Sequence, residues 1–205
     1  MISFKLFLEQ QNDKGTLYAF DIDGTLKHPT AKIGVKDPSG NIIDRLDHHT
    51  YNTYKLAPGH TFDYAEFRSA DKFQESEPIK PVITIAKTIQ RKMSPRSKMV
   101  FITARTDFDD KEKFLNKFRS SGLNMDHKSA RGIHVHRAGT LQMPTAEAKL
   151  HYFRQHLDTG KYHTVHFWDD DDRNLELFKG LKKQYPHVLF NGYKVHPDGK
   201  AEPVA

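Results

Sequence analysis

The chain has 205 residues, with 32 Lys and Arg against 26 Asp and Glu and a formal net charge of +6. This length suits one domain with a modest insertion, and 37% hydrophobic residues are enough to fill a core. Because the chain has no cysteine, it has no disulfide, no thiol catalysis and no cysteine-ligated zinc or iron–sulfur site.

Residues 1–15 form an N-terminal segment ahead of the first predicted strand. Its apolar stretch is broken by Lys5 and followed by Glu9, so it lacks the form of a secretion signal. No apolar run reaches the roughly 18 residues that a membrane span needs. We therefore expect a cytoplasmic protein with no membrane partner, which the lack of cysteine also fits.

Strands and helices alternate along most of the chain. Short apolar runs predict strands over 16–20, 99–102, 133–135, 164–168 and 188–190. Helical patterns cover 81–93, 109–120, 145–157 and 174–184. This alternation predicts a Rossmann-like, three-layer α/β fold whose mainly parallel sheet is covered on both faces. Ligands bind such sheets beyond the carboxyl ends of the strands.

Residues 27–77 interrupt the alternation and are interpreted as a small cap insertion, which leaves 16–26 and 78–205 as the core domain. The insertion contains a predicted hairpin, 33–35 with 41–43. It is rich in aromatic residues: Tyr51, Tyr54, Phe62, Tyr64, Phe67 and Phe73. These rings could stack nucleic-acid bases, but we favour the interpretation that an insertion of this size needs its own core.

Two carboxylates follow the first strand. Asp21 and Asp23 are separated by one residue and are followed by Gly24 and Thr25. Such a pair suits phosphoryl transfer, since one carboxylate can attack phosphorus or hold a metal while the other moves a proton. The alternative is an ordinary strand-to-loop exit, where aspartate and glycine are common.

Polar groups also follow two later strands. Thr103 places a hydroxyl donor after the second core strand, although such a threonine more often caps a turn. Four consecutive aspartates, 169–172, follow the fourth strand and repel one another unless a cation is present. A solvated acidic loop is the alternative. Hard oxygen ligands favour Mg²⁺.

Together these segments resemble the four ordered motifs of the haloacid dehalogenase (HAD) superfamily. Residues 21–25 resemble the first motif, Thr103 the second, Lys149 the third, and Asp169-Asp170 with Asn174 the fourth. The resemblance covers 16 to about 190. An aspartate at position 23 favours phosphatase over dehalogenase chemistry.

The resemblance implies a mechanism and a ligand set. Asp21 would form an aspartyl-phosphate, and Asp23 would act as general acid and base. Thr103, Ala104, Arg105 and Lys149 would bind substrate phosphate. Asp21, the backbone carbonyl of Asp23, Asp169 and Asp170 would hold Mg²⁺, with Gly24, Thr25 and Asn174 in support.

Several assignments stay open at the level of sequence. Asp171 could replace Asp170 as a metal ligand, although the spacing to Asn174 favours Asp170. Lys128 or Arg137 could replace Lys149. His136 and Arg137 could contact substrate phosphate, whereas the pairs His134/His136 and His48/His49 lack a third ligand for a metal site.

Residues 78–106 contain seven bases and no acid, and residues 113–157 contain eight bases and two acids. The rest of the chain has a net negative charge, and many of its acidic residues follow the predicted strands. This pattern favours an acidic metal centre flanked by basic walls that attract an anionic substrate. The expected partner is a phosphorylated small molecule or nucleotide, or a nucleic-acid terminus; the oligomeric state is not indicated.

The segment 59–67 and the preceding hairpin resemble HAD-like proteins of large tailed phages, and residues 1–9 resemble leader peptides of capsid-packaged phage proteins. This likeness adds the host cytoplasm or the virion as expected locations. It also supports an alternative function, a non-catalytic phage structural or nucleic-acid-binding protein on a HAD scaffold.

Overall fold

The structure is a computed structural model that describes residues 14–141 and 143–204. Predictions about the N-terminal segment fall largely on 1–13 and so lie outside the described residues. The strands are β1 (Gly15–Phe20), β2 (Lys27–His28), β3 (Ile33–Lys36), β4 (Ile42–Leu46), β5 (Thr61–Asp63), β6 (Glu77–Pro78), β7 (Lys98–Thr103), β8 (His134–Arg137), β9 (Tyr162–Asp169), β10 (Leu189–Val195) and β11 (Ala201–Val204). The α-helices are α1 (His48–Thr53), α2 (Ala70–Glu75), α3 (Lys80–Lys92), α4 (Lys111–Arg119), α5 (Thr145–Leu157) and α6 (Asp172–Gly180).

Six strands form the central sheet in the order β11-β10-β9-β1-β7-β8. Neighbouring strands run parallel except β10 and β11, which pair antiparallel. The predicted α/β class with a mainly parallel sheet is confirmed. The edge strand β11 was not predicted, because it contains Pro203 and has no apolar run, a composition that only an edge strand tolerates.

The sheet has a hydrophobic cluster on each face, because successive strand residues point to opposite sides. Phe20, Met99 and Phe101 pack on one side with α2, α3 and α4. Leu17, Ala19 and their neighbours on the other face pack with α5 and α6. The helices therefore cover both faces and leave the carboxyl ends of the central strands accessible.

The insertion leaves and re-enters the core through β2 and β6, which pair antiparallel at its base. Beyond them β4, β3 and β5 form a small antiparallel sheet. Ile33, Val35 and Leu46 form its core, against which Tyr51, Tyr54, Phe62 and Phe67 pack. Most of the aromatic residues therefore serve the insertion's own core.

The helix α2 packs on the core domain, although its position in the sequence falls within the predicted insertion. Although it lies within 27–77, its Phe73 is buried in the core domain, with ring centroids 4.7 Å from Phe114 and 5.5 Å from Phe118. The aromatic content of the segment could not distinguish these two cores. Among the described helices, none combines the length and apolarity needed to cross a bilayer.

Candidate phosphoryl-transfer site

The candidate residues meet at a cavity of about 540 Å³ beyond the carboxyl ends of β1, β7 and β9. Its charged and polar lining includes Asp21, Asp23, Arg105, Lys149, Asp169, Asp170, Asp171, Arg173 and Asn174. These residues come from four separate segments of the chain. The sheet therefore brings distant parts of the sequence to one edge, as expected for parallel strands.

Lys149 joins two buried carboxylates. Its Nζ donates hydrogen bonds to Asp21 Oδ1 at 2.7 Å and to Asp169 Oδ2 at 2.8 Å. The Asp21 backbone N–H bonds the Trp168 carbonyl at 2.9 Å, which fixes Asp21 between β1 and β9. A lysine on α5 thus becomes the cation between two strand ends.

The electrostatics of this cluster favour an additional cation. Burial raises the pKa of Asp21 well above its usual range; Lys149 lowers it in part, whereas Asp169 and Asp170 raise it further. Burial opposes the charge on Lys149, but Asp169 and Asp21 outweigh burial and raise the lysine pKa. The lysine is therefore protonated, and because it is one cation among three carboxylates, ionising all three would leave an excess of negative charge that a further cation could offset.

Asp169 is held from several directions. Its oxygens accept hydrogen bonds from Asn174 Nδ2 at 3.0 and 3.1 Å, from the Asp171 backbone N–H at 2.8 Å and from Lys149. The side chain is fully buried. Asn174 therefore orients the acidic loop through Asp169.

The structure distinguishes Asp170 from Asp171. Thr25 Oγ1 donates to Asp170 Oδ1 at 3.3 Å. Gly24 has φ +82°, and a Cβ there would lie 2.2 Å from Asp170 Oδ2, so the glycine is needed both for its backbone conformation and for space. By contrast, Asp171 is the N-cap of α6 and accepts from the Arg173 backbone N–H at 2.8 Å. The geometry thus places Asp170 with the carboxylate cluster.

Three of these carboxylates fit a metal ion. One oxygen each from Asp21, Asp169 and Asp170 lies within 4.8 Å of the others. Two of the residues are buried and Asp170 is half-buried, and all donor atoms are oxygens. Such a donor set suits a hard divalent cation, of which Mg²⁺ is one.

Arg105 has a partner that the sequence did not predict. Its Nε and Nη2 donate to the two oxygens of Asp23, each at 2.7 Å, and its Nη1 donates to the Phe67 carbonyl at 3.0 Å. Phe67, Phe73 and Phe108 surround the guanidinium, with ring centroids 4.7 to 5.5 Å away. These bonds position Asp23 and connect it to the insertion, while the expected contact of Arg105 with substrate phosphate stays a prediction.

Thr103 is fully buried and does not line the cavity; its hydroxyl oxygen accepts the Arg105 backbone N–H at 3.1 Å. Ala104 and Thr106, in the loop after β7, do line the cavity. The cavity surface after β7 is therefore formed by Ala104 and Thr106, and the contact of Thr103 with substrate phosphate stays a prediction.

The competing basic candidates lie elsewhere. Lys128 is exposed in the loop before β8, and Arg137 Nε lies 3.2 Å from Asp107 Oδ1. Neither belongs to the cavity lining. Lys149 is therefore the lysine that the described structure places beside Asp21.

His136 of β8 pairs with His156 of α5, and neither residue lines the cavity. His136 Nε2 lies 2.9 Å from His156 Nε2, and burial lowers the pKa of His136 to about 3 and that of His156 to about 4. Both rings are neutral near pH 7, so one nitrogen donates and the other accepts. His134 belongs to no group of three metal-ligating residues within the described chain, and the side chains of His48 and His49 lie outside the description.

The apolar walls of the cavity were missed by sequence reasoning. The insertion contributes Ile33, Tyr51, Tyr64 and Phe67, and the segment before α5 contributes Leu141, Met143 and Pro144. The aromatic content of the insertion was a signal for the first wall. No pattern marked the second, because 141–144 has no periodicity and no chemically reactive residue.

In comparisons with known proteins, no family model and no curated protein sequence matches this chain.

Proposed function

We propose that the chain is a divalent-cation-dependent phosphomonoester hydrolase of the HAD type that acts through an aspartyl-phosphate on Asp21. The observation that carries this proposal is the buried Asp21–Lys149–Asp169 cluster with Asp170 beside it, at the floor of an open cavity. The ordered motifs of the HAD resemblance support the same reading.

In the proposed mechanism, Asp21 would attack phosphorus in line with the departing ester oxygen. Its carboxylate oxygen would form a bond to phosphorus as the bond to the ester oxygen breaks. Because a phosphate dianion repels an ionised carboxylate, the Lys149 ammonium at 2.7 Å offsets part of the repulsion. The remainder requires the cation.

Asp23 would transfer a proton in each of the two steps. It would donate a proton to the departing ester oxygen, then take one from the water that attacks the aspartyl-phosphate, which regenerates Asp21 and releases inorganic phosphate. The two hydrogen bonds from Arg105 fix the carboxyl group for both transfers.

A bound Mg²⁺ would be held by Asp21, Asp169, Asp170 and the backbone carbonyl of Asp23. When bound, the ion supplies charge neutralisation for the phosphate and the carboxylates. The hydrogen bond from Thr25 to Asp170 and the space that Gly24 leaves for the Asp170 carboxylate support this role.

The experiment is phosphate release from a panel of phosphomonoesters by the purified protein with and without Mg²⁺. We expect turnover that EDTA abolishes and that falls by at least about 1,000-fold in Asp21→Asn, because an amide cannot act as the nucleophile. Asp172→Asn is the matched control, since Asp172 is exposed and pairs with Lys194 at 2.9 Å. Full activity in the Asp21→Asn protein would refute the proposal.

A second candidate, a non-catalytic nucleic-acid-binding protein, is favoured by one observation. A separate cavity of about 410 Å³ is lined by Arg96, Lys98 and Lys161 and by no acidic residue. It lies at the amino ends of β7 and β9, opposite the carboxylate cluster. Salt-sensitive nucleic-acid binding without hydrolysis of any phosphate ester would support this candidate; salt-independent binding would count against it.

A further inference from the structure

The cavity lining combines the carboxylate cluster with apolar residues from two segments of the chain. We propose that the apolar end binds the base of a nucleoside monophosphate, either free or at the end of a nucleic-acid strand, and that Tyr64 supplies a stacking face. This inference rests on the proposed phosphatase function, because the carboxylate cluster fixes which end of the cavity takes the phosphate.

The insertion places one aromatic ring in the cavity lining that is not part of its own hydrophobic core, that of Tyr64. Tyr64 lines the cavity and is 46% exposed, although it is a large aromatic residue. Its hydroxyl lies 2.9 Å from the Tyr51 hydroxyl, and the two ring centroids are 6.1 Å apart with an interplanar angle of 82°. Tyr51 in turn packs on Phe62, at 4.8 Å between centroids, so Tyr64 is held at the surface by packed neighbours.

A second apolar part of the lining comes from the segment just before α5. Leu141, Met143 and Pro144 line the same cavity, and Met143 is 45% exposed. A flexible thioether adapts to flat ligands of different outline. Two separate segments of the chain therefore supply apolar surface to one cavity.

A purine or pyrimidine fits these features better than a sugar or an acyl chain does. The cavity volume of about 540 Å³ lies within the usual range for small-molecule sites, and a nucleotide joins a dianionic end to a planar apolar end. A sugar phosphate would leave the aromatic wall in contact with hydroxyl groups. Base stacking on an aromatic side chain is favourable for every base, so we expect little preference among bases.

The test compares adenosine 5′-monophosphate and uridine 5′-monophosphate with ribose 5-phosphate, which lacks only the base. We expect kcat/KM at least about tenfold higher for both nucleotides, a factor typical of one stacking contact. Tyr64→Leu should lower this ratio toward one, whereas Tyr64→Phe should keep it because the flat ring remains. A 5′-phosphorylated oligonucleotide in the same assay identifies whether the free nucleotide or the strand end is preferred.

Tyr54→Leu is the matched control. Tyr54 belongs to the same insertion core, with its centroid 6.2 Å from that of Phe62, but it does not line the cavity. It should keep the nucleotide preference. Equal kcat/KM for the nucleotides and ribose 5-phosphate, or equal losses of preference in Tyr54→Leu and Tyr64→Leu, would overturn the inference while leaving the phosphatase proposal intact.

Binding to the Asp21→Asn protein separates the two proposals. Calorimetric titration should show adenosine monophosphate binding at least about tenfold more tightly than ribose 5-phosphate, with the difference lost on adding Tyr64→Leu. If the wild-type protein hydrolyses no ester but this difference is present, the phosphatase proposal fails and the base subsite stands. Equal binding of the two ligands contradicts the subsite.

Discussion

Arg105 and Asp23 form the best-defined pair at the site. The guanidinium is almost fully buried and bonds both carboxylate oxygens, a fork geometry that a lysine cannot reproduce. The ring faces of Phe67, Phe73 and Phe108 leave it little freedom to move. This arrangement makes Arg105 a positioning residue for the proposed proton transfer.

We predict that Arg105→Lys lowers kcat for alkyl phosphates by about 10- to 100-fold, since general acid catalysis is worth about 10²–10⁴. The loss should be much smaller for 4-nitrophenyl phosphate, whose leaving group needs no proton. Steady-state kinetics on both substrates measure the difference. Arg137→Lys is the control, because Arg137 pairs with Asp107 and does not line the cavity. Equal losses on the two substrates would contradict a role for Arg105 in positioning the general acid.

Sequence reasoning reached some of these residues and not others. Asp21, Asp169 and Asp170 follow apolar strands, which indicates a shared sheet edge, whereas Lys149 was assigned only through the HAD resemblance. The partner of Arg105 could not be predicted, since phosphate and carboxylate are equally good partners for a guanidinium and only the fold places Asp23 within 2.7 Å. The spacing to Asn174 favoured Asp170 over Asp171 as the metal ligand, and the structure adds a second reason, because the Asp171 side chain caps α6.

The short strand β2, at the base of the insertion, carries a buried amine. Lys27, in β2, has no exposed surface, and its Nζ has no hydrogen-bond partner among the described residues. It lies 5.8 Å from the Phe118 ring centroid. Burial and the nearby Lys117 lower the pKa of Lys27 to about 8.

This shift predicts a stability change with pH. Below pH 8 the amine is charged in both states, and its burial destabilises the fold. Between about pH 8 and pH 10.5 the folded state loses its proton before the unfolded state does, so the free energy of unfolding should rise, by about 1–3 kcal/mol. Lys27→Met should be more stable than the wild type near pH 7 and should lack this rise.

Urea unfolding of wild type, Lys27→Met and the exposed-lysine control Lys32→Met at pH 7 and pH 10 measures the effect. The control should follow the wild type. A Lys27→Met protein that is less stable at pH 7, or that keeps the wild-type rise, contradicts the account.

Elements with a strong local pattern were predicted well. β7, β9 and α5 carry apolar runs or amphipathic periodicity, and α5 spans the predicted residues 145–157. The pattern at 174–184 was shifted, because Asp171 caps the helix and α6 begins at Asp172. The packing of α2 on the core domain depends on contacts between distant segments, which local patterns do not contain.

In the whole molecule, a net charge of +6 coexists with a local cluster of acidic residues in the cavity. The cluster comprises Asp21, Asp169 and Asp170, with Lys149 bonded to the first two. Burial and neighbouring carboxylates raise the pKa values of Asp21 and Asp169. Ionising this cluster therefore opposes folding, and a bound divalent cation should offset that cost.

We predict that Mg²⁺ raises the melting temperature in proportion to the logarithm of its concentration above its dissociation constant. Asp170→Asn should abolish the increase, because it removes one of the three grouped oxygens. Asp171→Asn should keep it, since asparagine also caps helices well. Thermal melts with and without Mg²⁺ measure both variants, and the reverse pattern would assign the ligand to Asp171.

The stereochemical course at phosphorus tests the central claim most directly. A phosphorothioate monoester made chiral with oxygen isotopes would be hydrolysed in isotopically labelled water, and the configuration of the product determined. Attack by Asp21 followed by attack of water inverts phosphorus twice, so the account predicts net retention and no turnover by Asp21→Asn. Net inversion would show direct attack by water and contradict the aspartyl-phosphate mechanism.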